Sequence, residues 1–80
     1  MVDYEDIIFV PGDLVQYFGP PILNPPRWNL IVANNNGIIN YNEIGIVIES
    51  DKFLRIAKVY FQENEIIIER ITFSRLKYVK

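Results

Sequence analysis

"EIGIVIESDKFLRIAKVYFQENEIIIERI", residues 43–71, is the stretch that decides the fold. It is crowded with β-branched and aromatic residues, and its one alanine is Ala57. That composition suits a pleated, half-buried surface and disfavours helix. Two polar clusters interrupt it, Ser50–Lys52 and Gln62–Glu65. Turn-forming residues between apolar runs mark strand ends, so the stretch divides into three strands over 43–49, 53–61 and 66–71. Side chains alternate along a strand. Ile44, Ile46 and Ile48 therefore share one face, and Ala57, Val59 and Phe61 form the expected core set of the middle strand. The three consecutive isoleucines 66–68 blur the alternation and leave the faces of the last strand open.

Working outward, "PGDLVQYF" (11–18) predicts a first strand over 13–18, entered through Pro11 and Gly12. Asp13 is expected to bond nearby backbone groups. "TFSRLKYV" (72–79) predicts one 3₁₀ turn over Ser74–Leu76, with Ser74 as a local cap, then a short closing strand over 77–79. "IIFV" (7–10) predicts docking as an edge strand. The acids Asp3, Glu5 and Asp6 make residues 1–10 an acidic extension.

Residues 19–42 are a long interruption. "GPPILNPPRWN" (19–29) holds four prolines, which enforce extended backbone and exclude both helix and central strand. Asn36-Gly37 is a hairpin signal, so Trp28–Ala33 and Ile38–Tyr41 are expected to pair around it as a small flap.

The chain has 80 residues, room for one domain. It contains neither cysteine nor histidine, which removes the disulfide, the thiolate and the commonest general base and metal ligand. Asp3, Glu5 and Asp6 sit on a segment with no scaffold to set their spacing, and Glu63 and Glu65 sit in a turn. Neither group reads as a catalytic pair, and no cofactor, metal or catalytic residue is assigned. No run of about 18 apolar residues exists, so no membrane span is expected. The net charge is −2. Residues 1–51 hold seven acids and one base, and residues 52–80 hold seven bases and three acids. Neutralisation across neighbouring strands accounts for that split most simply.

"PGDLVQYF", "GIVIES" and "AKVYFQENEIIIERITFSRLKYV" together resemble the small SH3-like β-barrel proteins of tailed bacteriophages. The family's usual run is Gly-Asp-Leu-Val, Gly-Ile-Val, Val-x-Phe, a turn and a terminal Ser-x-Leu. Here these are Gly12–Val15, Gly45–Val47, Val59–Phe61 and Ser74–Leu76. The likeness covers roughly residues 11–19 and 43–79; the Pro-rich segment has no counterpart, and "QENE" lacks the glycine the family places in that hairpin. The resemblance implies an all-β, five-stranded SH3-like barrel over 11–80, with 19–42 as an insertion. It also implies a non-enzymatic structural or adaptor role, in capsid decoration, neck or tail. The expected partners are other virion or assembly proteins, or further copies of the chain, and the expected location is the virion or the host cytoplasm.

Two surfaces are candidates. The first is the insertion, where Pro21, Ile22, Leu23, Pro25, Pro26, Arg27, Trp28, Leu30 and Ile31 form a stiff, apolar arm with an aromatic tip. Such an arm loses little entropy on docking, and Trp and Arg are enriched at interface hot spots. Alternatively, the arm folds back as a lid with Trp28 in the core. The second is a nucleic-acid surface of KOW or Tudor type on Arg55, Lys58, Arg75 and Lys77. The acidic balance, with a pI near 4.9, weighs against it.

Overall fold

A computed structural model describes residues 7–23, 25, 26, 28–33 and 38–79, with the backbone alone for 31–33. It is all-β, with a single 3₁₀ turn as the one helical element among the described residues. The strands are β1 (Leu14–Tyr17), β2 (Leu30–Ala33), β3 (Ile44–Asp51), β4 (Ile56–Phe61), β5 (Ile66–Thr72) and β6 (Leu76–Tyr78). The 3₁₀ turn, Phe73–Arg75, links β5 to β6. All six strands lie in one sheet in the order β2-β5-β4-β3-β1-β6, every pairing antiparallel. The sheet is open, with β2 and β6 at its edges. Five of these strands are those expected from the sequence. The sixth, β2, comes from the insertion.

The core lies on one face. Val15 and Tyr17 of β1, Val47 of β3, the set Ala57, Val59 and Phe61 of β4, and Ile66, Ile68 and Ile71 of β5 are buried there. Phe73 and Leu76 close the far end. Each fully buried apolar side chain contributes about 1.5–3 kcal/mol. Gly45 makes room within this face. A Cβ there would lie 2.5 Å from Val59 Cγ1 and 2.9 Å from the Tyr60 carbonyl oxygen.

The three isoleucines of β5 are resolved by a bulge. Val59 pairs with Ile68 and Ala57 with Ile71, so β5 carries one residue more than β4 over that interval. Two phases of alternation therefore meet at Glu69 and Arg70, which puts Ile66 and Ile68 on the same side as Ile71. The bulge frees two backbone donors, and Asn29 accepts both. Its carbonyl takes the Glu69 N–H at 2.8 Å and its side-chain oxygen the Arg70 N–H at 2.6 Å.

Both hairpin turns use a left-handed residue where glycine is usual. Residues 52–55 join β3 to β4, with Arg55 at φ 56°. Residues 62–65 join β4 to β5, with Glu65 at φ 52°. In the first turn, Asp51 Oδ1 accepts the N–H groups of Phe53 and Leu54 at 2.9 and 3.0 Å. That turn is why the strand expected over 53–61 begins at Ile56.

Other expectations are corrected. The flap does not form as a hairpin of Trp28–Ala33 with Ile38–Tyr41. β2 pairs with β5, whose free edge offers a longer ladder, and Ile39 bridges to Ile22 instead. Asn36-Gly37 lies outside the described residues. The 3₁₀ turn starts one residue earlier than expected, and Ser74 lies inside it rather than capping it. Its N-cap is Thr72, which makes no side-chain cap bond. Residues 7–10 are not a strand. They dock by inserting Phe9 into the core, 5.3 Å edge-on from Phe73 and 4.9 Å from Tyr78 between ring centres. Asp13 does bond nearby backbone, accepting the Val10 N–H at 2.9 Å.

Candidate interaction surface

The insertion is anchored at intervals and exposed between the anchors. Ile22 and Leu30 pack against the core, and Pro25 and Ile39 are buried. The Ile22 and Ile39 backbones exchange two hydrogen bonds of 2.8 and 2.9 Å. Between these points Leu23 is 63% exposed and Trp28 67% exposed, and Pro21 and Pro26 are also exposed. Trp28 is therefore not a core residue, and the lid is formed by Ile22, Pro25, Leu30 and Ile39. Arg27 and the side chain of Ile31 lie outside what is described.

A buried carboxylate that the sequence did not single out holds the end of the insertion. Glu43 is 5% exposed. Its Oε2 accepts the Asn40 N–H at 2.9 Å and its Oε1 accepts the Asn64 side-chain amide at 2.7 Å. The Asn64 amide also donates to the Ile38 carbonyl at 3.2 Å. The Glu43 carbonyl accepts the Tyr17 N–H at 2.9 Å. One residue thus ties the insertion to β1 and to the β4–β5 turn. Its only sequence signal is an acid at the start of an apolar strand.

The four basic residues do not form one patch. The Arg55 guanidinium donates to the Ile7 carbonyl at 3.1 Å and stands 5.3 Å over the Phe73 ring, where it clamps residues 7–10. Lys58 sits in mid-sheet opposite Glu49 and 3.9 Å from Glu69. This is the one ion pair among the described residues. Both partners belong to the 52–80 part, so this pair does not offset the acids of residues 1–51, and an exposed pair of this kind contributes little stability. Arg75 and Lys77 are exposed at the β6 edge, where the Lys77 ammonium lies 5.9 Å from the Phe18 ring centre.

Two tyrosines have phenols whose pKa is raised. Burial raises Tyr17, and Arg75 partly offsets this. Burial also raises Tyr78, with help from the negative charge and hydrogen bond of Asp13. The Tyr17 hydroxyl donates to the Pro20 carbonyl and so fixes the start of the insertion.

Among the described residues no three acids gather in a way that could hold a metal ion. Asp3, Glu5 and Asp6 lie outside them. The open cleft beside Lys58, about 320 Å³, is lined by acids and bases together with Ser50, Leu54 and Ile56. Compared with protein-family models, curated proteins and solved structures, the chain matches none.

Proposed function

We propose that the chain is a non-enzymatic contact module of SH3-like build whose insertion docks a partner protein through Leu23, Pro26 and Trp28. The observation that carries this is the exposure of Leu23 and Trp28 on a segment otherwise tied to the core. A tryptophan held out on a Pro-stiffened, anchored loop loses little freedom on binding and has a large apolar area to bury. The order of elements supports the SH3-like reading: a strand after Gly-Asp, a long insertion, a three-strand meander, one 3₁₀ turn, and a last short strand paired with the first. The resemblance to phage proteins supplies the setting, a structural component of a tailed-phage virion.

The experiment compares native chain with Trp28→Ala. A surface truncation of this kind moves stability by about 0.5 kcal/mol at most, so the melting temperature shifts by only about 2–4 °C. Co-purification of the partner falls at least about tenfold if Trp28 is a hot spot. Unchanged capture refutes the reading. Mass spectrometry of purified particles tests the setting.

A further inference from the structure

Residues 7–10 reach the core without joining the sheet. Phe9 is fully buried against Phe73 and Tyr78. Two side chains of the body tie the arm's backbone. The Arg55 guanidinium donates to the Ile7 carbonyl and the Tyr78 hydroxyl to the Ile8 carbonyl, each at 3.1 Å. Among the described residues no backbone hydrogen bond joins 7–9 to the sheet. One flank of the arm is open. A cleft of about 390 Å³, lined by Ile8, Val10 and residues 50–53, runs beside it. Ile8, Val10 and Phe53 are 44%, 50% and 86% exposed.

A compact hinge joins arm to body. The Val10 carbonyl accepts the Asp13 N–H at 3.1 Å and the Val10 N–H donates to Asp13 Oδ2 at 2.9 Å, closing a turn on Pro11 and Gly12. Gly12 holds φ 95°, and a Cβ there would meet nothing within 4 Å. The body starts at once beyond it. The Gly12 N–H donates to the Val47 carbonyl at 2.8 Å, and the Val47 N–H to the Asp13 carbonyl at 3.0 Å.

We propose that the aromatic site built by Phe73, Tyr78 and Arg55 receives residues 7–10 of a second copy in place of its own, so that neighbouring chains exchange arms. A second body supplies every arm contact that the first one does. Exchange gives up only the two Val10–Asp13 bonds at each hinge. It joins two copies at the end where Ile8, Val10 and Phe53 stand exposed, and clustered apolar surface of that kind marks a contact. On its own short hinge the arm meets the site at an effective concentration on the order of millimolar. The exchanged native dimer dissociates in that range, so dilute chains stay closed and chains crowded in an assembly exchange. This inference does not draw on the insertion's exposed tip.

The test is Gly12→Val in the full chain. A β-branched residue at φ 95° is strained in the closed turn and relaxed in an extended hinge, which favours exchange about tenfold per hinge. Two hinges lower the dimer's dissociation constant about a hundredfold, to on the order of 10 µM. Samples are refolded from urea at about 5 to 500 µM and run by sedimentation velocity. Gly12→Val shows a monomer–dimer equilibrium, the native chain is mainly monomer, and adding Phe9→Ala to Gly12→Val weakens the dimer at least about tenfold. In a second measurement, the full chain with Phe9→Ala receives a peptide of residues 5–12 at about 2 mM. The peptide shifts the ring resonances of Phe73 and Tyr78, and the same peptide with Phe9→Ala does not. This measurement decides the matter if Gly12→Val fails to fold. A Gly12→Val chain that folds and stays monomeric throughout overturns the proposal. So does a dimer indifferent to Phe9→Ala, or a native peptide that moves neither ring.

Discussion

Replacing Glu43 by alanine is expected to loosen the insertion and the whole domain together. The substitution removes two hydrogen bonds to a buried, charged acceptor, from the Asn40 N–H and the Asn64 amide. Hydrogen bonds to charged groups contribute about 1.5–3 kcal/mol each. The Asn64 amide keeps its bond to the Ile38 carbonyl, so part of its donor capacity stays satisfied. The expected loss is about 2–4 kcal/mol. A chain of 80 residues has about 4–12 kcal/mol in total, so the change takes a large share. Urea unfolding should show a lower midpoint with an unchanged slope. Glu43→Gln keeps one acceptor oxygen but turns an NH₂ toward a donor, and costs about 1–3 kcal/mol. Asn64→Ala combined with Glu43→Ala gives a coupling of about 1 kcal/mol or more. Amide exchange at Ile39, whose N–H donates to the Ile22 carbonyl, should quicken before the β4 amides do. A Glu43→Ala loss below about 0.5 kcal/mol, or strict additivity with Asn64→Ala, would show that this carboxylate does not hold the insertion.

Three further outcomes are expected. Gly45→Ala forces a Cβ against Val59 and the Tyr60 carbonyl and costs about 1–3 kcal/mol by overpacking; an unchanged melting temperature would contradict the tight approach of β4. Glu65→Gly relieves a left-handed residue in the β4–β5 turn. After the entropy of a freer unfolded chain it should stabilise by about 0.5–1 kcal/mol, read as a raised unfolding midpoint. Tyr17 and Tyr78 have folded pKa values above the unfolded value of 10.0. Their contribution is therefore fully present below about pH 10 and is lost as pH rises through the folded values. Unfolding midpoints and phenolate absorbance, followed together, should show the decline, and a Tyr17→Phe, Tyr78→Phe chain should show less of it.

The β4 core set was legible because "AKVYF" alternates cleanly and the extra residues of its two ladders fall in β3 and β5, not in β4 itself. The alternation of "IIIERI" was not legible, because the bulge at Glu69–Arg70 changes phase in mid-strand. The bulge's partner is Asn29, 41 positions away in the chain from Arg70. The insertion was recognised as an arm from its prolines. Which of its residues anchor and which stand out was not readable, since Ile22, Leu23, Leu30 and Trp28 are all apolar. The flap was misassigned for a related reason: Asn36-Gly37 is a local signal, whereas the edge of β5 is a distant competitor for β2. Arg55 and Lys58 looked like parts of a basic face until their partners, Ile7, Phe73 and Glu69, were seen.

The sequence by itself determined the all-β class, the places of five strands, the turns between them and the absence of cysteine and histidine, because these follow from composition and from periods of two along the chain. Only the tertiary structure decided the pairing of β2 with β5, the buried carboxylate at Glu43 and the exposure of Trp28. Each of these depends on register between segments far apart in sequence, and a shift of one residue would send the same side chains to the opposite side of the sheet.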